Sequence, residues 1–391
     1  MLVSFALILV CGMAVGWLFG RIKLPQLAGM LIVGIVIGPY CLKLIDPSVL
    51  NISSELRRIA LIIILLRAGL NLNLNDLKKV GRPAILMCFI PATFEIVGML
   101  IFAPMIFGLS VIDSLILGTV IAAVSPAVIV PHMLKIMEEG YGTKQGVPQM
   151  ILAGASADDV FVIVLFTSFS GVAAGGSFDA SSLIRIPTSV IFGIAGGLFV
   201  GFLLHLLLKK VDMDSLRLLI LFLCIAFALV SVEDLLTGVV GFSGLLAVMA
   251  AGVIFAKLSK ERAKALSSGF SKLWMPAEIL LFVLVGAAVD IRYALGAGVK
   301  AILIIFAVLV FRMIGVMVCL LGTKLNLKER LFCMIAYTPK ATVQAAIGAI
   351  PLSMGLPSGD TILTVAVVAI MLTAPLGAFF IDLTYKRFLS H

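Results

Sequence analysis

Thirteen segments of this chain are apolar over lengths that suit a membrane-crossing helix, with little polar sequence between them. They lie near 2–20, 27–42, 57–72, 83–107, 113–132, 148–172, 186–208, 215–232, 238–256, 270–289, 296–321, 329–350 and 361–382. A spanning helix needs about 20 apolar residues. Of 391 residues, 62% are hydrophobic and 13% charged, a balance that a soluble domain of this length does not show. The fold class is an all-α membrane protein of about 13 transmembrane helices, forming one domain over 1–391. No polar stretch is long enough for an ATPase module or an extramembrane sensor. The 36 glycines point to close helix packing. The first segment lacks a basic leader and runs directly into Arg21-Ile-Lys23, so it is expected to be an uncleaved span rather than a signal peptide.

Lysine and arginine are distributed unevenly. The loops after odd-numbered segments, with the C-terminal tail, carry 20 of the 29, and the loops after even-numbered segments carry 6. This asymmetry places the N-terminus outside and the C-terminus in the cytoplasm. It also accounts for the net charge of +9 without an acidic or nucleic-acid partner. Three basic residues stay inside segments: Arg67, Arg312 and Lys340. The six cysteines show no CxxC spacing and mostly fall in apolar sequence, so they are expected to be core residues. His132, His205 and His391 form no ligand cluster, and no cofactor or resident metal is expected.

Two segments are interrupted alike. The fifth contains Ser125-Pro126 and the twelfth Thr338-Pro339, in each case a hydroxyl residue followed by proline at mid-membrane. Proline removes a backbone donor and clashes with the preceding turn, so it breaks or kinks a helix. The two segments are seven apart, and an odd offset inverts topology. The expectation is two inverted six-helix repeats, about 1–172 and 215–382, joined by a connector helix at about 186–208. Paired broken helices in corresponding positions mark the binding site of a secondary transporter.

Asp158 and Asp159 lie side by side in an otherwise apolar segment. A lipid-facing charge there costs roughly 2.5–3.5 kcal/mol or more. The pair therefore implies a cavity, a bound cation, a shared proton or a basic partner. Burial and a like-charged neighbour both favour the protonated carboxyl. A carboxylate so placed holds a proton or a cation, and that competition is the minimal chemistry of cation/proton exchange. Glu95 and Arg312 occupy segments that are also seven apart. They are expected to form an ion pair that either serves transport or only locks helices together. Lys340 follows the second break, where it either compensates a half-helix dipole or pairs with an aspartate at 158–159. Arg67, Asp113 and Glu278 lie near segment ends and are expected to be structural.

These residues resemble the monovalent cation:proton antiporter superfamily, in particular the NHA branch of sodium/proton antiporters. The resemblance rests on Ala155-Ser-Ala-Asp-Asp159, on the glycine-rich Leu27–Pro39, on Ser125-Pro126 and on Tyr337–Gly348. It implies crossed broken helices, a homodimer, and a mobile core built from about 83–172 and 296–382. It also implies that Asp159 is the principal carrier of Na+ or Li+ and of H+, with Asp158 its helper. Arginine does not release its proton in a protein, so Arg312 is not expected to be a proton carrier. The expected ion pairs are Arg312 with Glu95, and Lys340 near Asp158 and Asp159. The resemblance implies a multi-pass cell-membrane protein, expected in a bacterial inner membrane. The alternatives are a potassium/proton antiporter, a sodium-coupled organic-anion symporter, a passive cation channel and an intramembrane aspartyl protease. Neighbouring aspartates on one helix suit the last poorly.

Overall fold

The structure, a computed structural model, describes residues 1–22, 24–71, 81–175, 180–211, 213–236 and 241–391. The secondary structure of these residues is entirely helical, and helix occupies each apolar segment named above. Among the described residues, 7 helices are long and apolar enough to cross a membrane, including Leu2–Arg21, Gly296–Cys319 and Gly359–Phe388. Others, such as Gln26–Ile37, Val111–Ala122 and Gly244–Leu258, are apolar but shorter.

Three segments are divided. Segment 83–107 is Arg82–Met87 and Ile90–Phe107, segment 113–132 is Val111–Ala122 and Pro126–Glu138, and segment 329–350 opens as Leu327–Ala336 and Thr342–Ile347. Pro91, Pro126 and Pro339 account for these divisions, because a proline ring clashes with the carbonyl four residues earlier. Those carbonyls belong to Met87, Ala122 and Ile335, and hydrocarbon offers no water to satisfy them. Each has a protein donor instead. The Tyr337 hydroxyl donates to Met87 at 3.4 Å, Arg312 donates to Ala122, and Thr338 Oγ1 donates to Ile335 at 2.8 Å. The division before Pro91 is absent from the sequence expectation, because the run stays apolar on both sides of it.

The chain forms two compact units. One comprises Met1–Ser54, Leu74–Phe169 and Leu281–His391. In it the helix Ile90–Phe107 packs along Ile291–Cys319. The two helices carry the same short pattern, Phe94-Glu95-x-x-Gly98 and Phe311-Arg312-x-x-Gly315. Each phenylalanine covers the other helix's glycine. A Cβ on Gly98 would lie 2.9 Å from Phe311 Cγ, and one on Gly315 would lie 3.1 Å from Phe94 Cβ and 2.8 Å from Pro91 Cα. This close approach brings Glu95 and Arg312 together at the interface.

The other unit comprises Glu55–Asn73 and Ser170–Leu280. Its main contact joins Ala180–Lys210 to Gly244–Leu258. Gly193, Gly197 and Gly201 face the backbone of Ser243, Ala247 and Ala251, so small residues at every fourth position let the two helices touch.

Candidate ion-binding site

The two breaks that follow Ala122 and Ala336 meet in the first unit. The Ser125 amide donates to the Pro339 carbonyl at 2.8 Å. Gln344, just past the second break, donates from Nε2 to the carbonyls of Ala123 at 2.8 Å and Ile121 at 3.2 Å. The Val124 amide donates to Asp158 Oδ2 at 2.8 Å. The open backbone of one break is therefore satisfied by the other break and by one aspartate, which makes the crossing a fixed object.

Four charged side chains at this crossing, Glu95, Asp158, Arg312 and Lys340, are fully buried. Arg312 is their hub. Its Nη1 donates to Glu95 Oε2 at 2.8 Å and to the Ala122 carbonyl. Its Nη2 donates to Asp158 Oδ2 at 2.9 Å, and its Nε to the Tyr337 carbonyl at 2.6 Å. Ala122 is the last residue of its half-helix and Tyr337 caps another. Helix C-termini carry partial negative charge. One guanidinium thus gathers two carboxylates and two helix ends, which its planar five-donor fork permits and a lysine ammonium does not.

Lys340 takes a partner other than the expected one. Its Nζ donates to Glu95 Oε2 at 2.6 Å, while its backbone amide is held by Thr373 Oγ1 at 2.8 Å. No ion pair joins it to Asp158 or Asp159 among the described residues. The compensation of half-helix ends considered for Lys340 falls to Arg312, which also reaches Asp158 instead of serving Glu95 alone. The physical reason is reach. The amide of Lys340 is anchored beside Pro339, whereas the Arg312 fork has donors enough for both carboxylates.

Asp159 stands apart. Two cations face Glu95 and Asp158, but no ion pair to Asp159 occurs among the described residues. Asp159 is half-buried, and its Oδ1 is shielded from solvent without a hydrogen-bond partner. Asp158 Oδ1, Ser125 Oγ, Thr342 Oγ1 and Gln344 Oε1 are likewise shielded and unpartnered. These are hard oxygen donors, the ligand type that small hard cations accept. The side chains of Ser156 and Ala157, within the aspartate motif, lie outside the described residues. Elsewhere, Asp113 accepts from Ser110 Oγ at 2.5 Å and from Ser358 Oγ at 2.6 Å, as a helix-end group does. Among the described residues no group of three or more His, Cys, Asp or Glu is placed to hold a metal ion.

Tyr337 and Gln344, which sequence reasoning used only as part of the Tyr337–Gly348 stretch, and Thr373, which it did not use, act in this crossing. Gln344 carried a usable signal: a primary amide in an apolar run five residues beyond a helix-breaking proline has to pair with something polar.

A family model described as "Sodium/hydrogen exchanger, transmembrane" matches residues 5–385. The chain is 34% identical over 404 residues to sodium/hydrogen exchanger 9B2 of Mus musculus, covering 97% of this chain and 72% of that protein. It is 30% identical over 381 residues to sodium/hydrogen exchanger 9B1 of Homo sapiens, covering 94% and 73%. The fold matches that of the sodium proton antiporter MjNhaP1 from Methanocaldococcus jannaschii with a TM-score of 0.86, covering 99% of this chain and 98% of that one at 23% identity.

Proposed function

The chain belongs to the sodium/hydrogen exchanger family, and on that premise we propose that it exchanges Na+ or Li+ for H+ by alternating access, with Asp159 as carrier. It is a multi-pass membrane protein of a family of transporters, which removes the intramembrane protease reading. The family and the relatives above are named for sodium and hydrogen, and none for potassium. The observation that carries the assignment of the carrier is the solitude of Asp159. Glu95 and Asp158 are neutralised by Arg312 and Lys340, so their charges are committed to the crossing. Asp159 has no such partner among the described residues. A cation or a proton completes it, and each excludes the other. The buried and unpartnered Asp158 Oδ1 and Ser125 Oγ are further oxygens for the cation.

The finer architecture belongs to the same proposal: thirteen spans, N-terminus outside, C-terminus cytoplasmic, inverted repeats about 1–172 and 215–382, a mobile core of about 83–172 and 296–382, and a homodimer. The reciprocal Phe94–Gly315 and Phe311–Gly98 packing supports the repeats, because inverted copies meeting at their common axis repeat each contact in exchange. The multi-pass helices support a membrane location, and the cell membrane is part of the proposal. The bacterial inner membrane expected from sequence has no support among relatives from Mus musculus, Xenopus tropicalis and Homo sapiens.

The test is exchange in proteoliposomes carrying an imposed pH gradient, with Na+, Li+ and K+ added in turn. Na+ or Li+ should dissipate the gradient at concentrations where K+ does not. Dissipation by K+ alone would contradict the proposal.

A further inference from the structure

In the second unit, the end of Ala180–Lys210 meets the junction between Gly244–Leu258 and Lys260–Ala287. Only Ser259, with φ −135° and ψ 61°, separates the latter two helices, so the helical path is interrupted there. A cleft of about 530 Å³ lies at this elbow, lined by Lys209, Lys257, Lys260 and Arg262 with one carboxylate, Glu261. That volume falls within the range of small-molecule sites, roughly 300–1,000 Å³.

The cleft is built from cross-linked elements. His205 Nδ1 and Ser259 Oγ share a hydrogen bond at 2.6 Å, and Arg262 Nη1 donates to the Leu208 carbonyl. These bonds tie the first helix to the elbow at Ser259 and again at Arg262, three residues further on. Lys209, Lys257 and Lys260 are exposed, and none is in an ion pair among the described residues. Three exposed lysines against one carboxylate make an unbalanced site. The long helix that starts at Lys260 adds the partial positive charge of its N-terminus. The first helix also exposes Leu206 and Leu207 beside the cleft, and Leu258 is exposed at its wall. An apolar margin next to clustered lysines is the setting in which an acyl chain and its headgroup are held together.

We infer that the elbow lined by Lys209, Lys257, Lys260 and Arg262 is a binding site for a phosphate group, carried by an anionic lipid headgroup or by a soluble phosphate. Lys257 and Lys260 flank Ser259 and reach the phosphate from two helices, while Lys209 reaches it from the third. The hydrogen-bonded Arg262 and His205 hold the elbow open. Glu261 opposes the ligand and sets its affinity below what the cations alone would give.

The experiment uses the full chain, purified in neutral detergent, with thermal melting and saturation binding as readouts. The probes are inorganic phosphate, phosphatidic acid, phosphatidylglycerol and, as the uncharged control, phosphatidylcholine. Wild-type protein should show saturable stabilisation with at least one phosphate-bearing anion and none with phosphatidylcholine. Saturation by inorganic phosphate identifies a soluble ligand, and saturation by the anionic lipids alone identifies a headgroup. Lys257→Gln and Lys260→Gln should each weaken binding about fivefold, from about 1 kcal/mol per basic residue, and Glu261→Gln should strengthen it. Sodium/proton exchange by the variants in phosphatidylcholine vesicles should match wild type, which shows that they fold. Equal response of wild type and the Lys257/Lys260 double variant to every anion would overturn the inference, as would equal binding of phosphatidylcholine.

Discussion

Arg312 Nη2 lies 2.9 Å from Asp158 Oδ2, and both side chains are fully buried. This contact separates two neighbouring carboxylates that are indistinguishable by residue type. Asp158 is held by Arg312 and by the Val124 amide, whereas Asp159 meets no cation among the described residues. Successive residues on a helix point about 100° apart. One of the pair therefore faces the crossing, and the other is the residue we propose as the carrier.

Arg312 is expected to be structural before it is anything else. Arg312→Ala leaves Glu95, Asp158 and the carbonyls of Ala122 and Tyr337 short of a donor. Removing one member of a buried charge pair costs about 3–5 kcal/mol. The melting temperature should fall strongly. Arg312→Lys should recover only part of the loss, because an ammonium does not reproduce the fork. A lysine variant as stable as wild type would show that the four contacts do not act together.

Gln344→Leu tests the join between the breaks. The substitution removes the donors to Ile121 and Ala123, at a cost of about 1–3 kcal/mol for the buried acceptors left behind. Amide exchange of 123–125 should accelerate while that of Ile291–Cys319 stays unchanged. Uniform acceleration across the unit would mean that Gln344 supports general packing rather than the crossing.

Gly98 and Gly315 should respond differently to alanine, although their surroundings mirror each other. At Gly98 the added methyl meets a side chain, Phe311, while at Gly315 it meets the backbone of Pro91. Overpacking costs about 1–3 kcal/mol. Phe311→Leu should rescue Gly98→Ala in a thermal melt, and Phe94→Leu should leave most of the Gly315→Ala defect in place. Equal rescue in both would refute this account of the interface.

How far the site was legible in the sequence depends on the range of each interaction. The breaks at Pro126 and Pro339 are local, since a proline disrupts the turn before it wherever the helix ends up. The apolar segments are local in the same sense, being set by length and composition. Partners are not local. Arg312 meets Asp158 across 154 residues and Lys340 meets Glu95 across 245, so only the crossing itself decides which acid faces which base. Proximity of Lys340 to a break therefore gave the wrong carboxylate. The division before Pro91 shows the limit from the other side: its cause is local, but an apolar run of 25 or so residues reads as one helix when nothing polar marks the interruption.

At the surface, acid stability should depend on Glu139. The Tyr385 hydroxyl donates to Glu139 Oε2 at 2.8 Å, and this bond, with Lys386 at 3.2 Å, holds the carboxyl below its ordinary value of 4.5. A depressed folded-state value means that the stabilisation is present above pH 4.5 and is lost as the pH falls through the lower folded value. Melting temperature followed from neutral pH downwards should therefore decline below that point, and Tyr385→Phe should flatten the decline. An identical acid limb in the variant would remove Glu139 from the acid response.

The carrier assignment meets its most direct test in Asp159→Asn, which keeps the size and removes the charge. Reconstituted in vesicles with an imposed pH gradient, the variant should show no Na+- or Li+-driven proton movement while melting close to wild type, since Asp159 anchors no part of the crossing. Asp158→Asn should instead lower the melting temperature together with the rate, because it weakens the bonds to Arg312 and Val124. Undiminished exchange by Asp159→Asn would contradict the account.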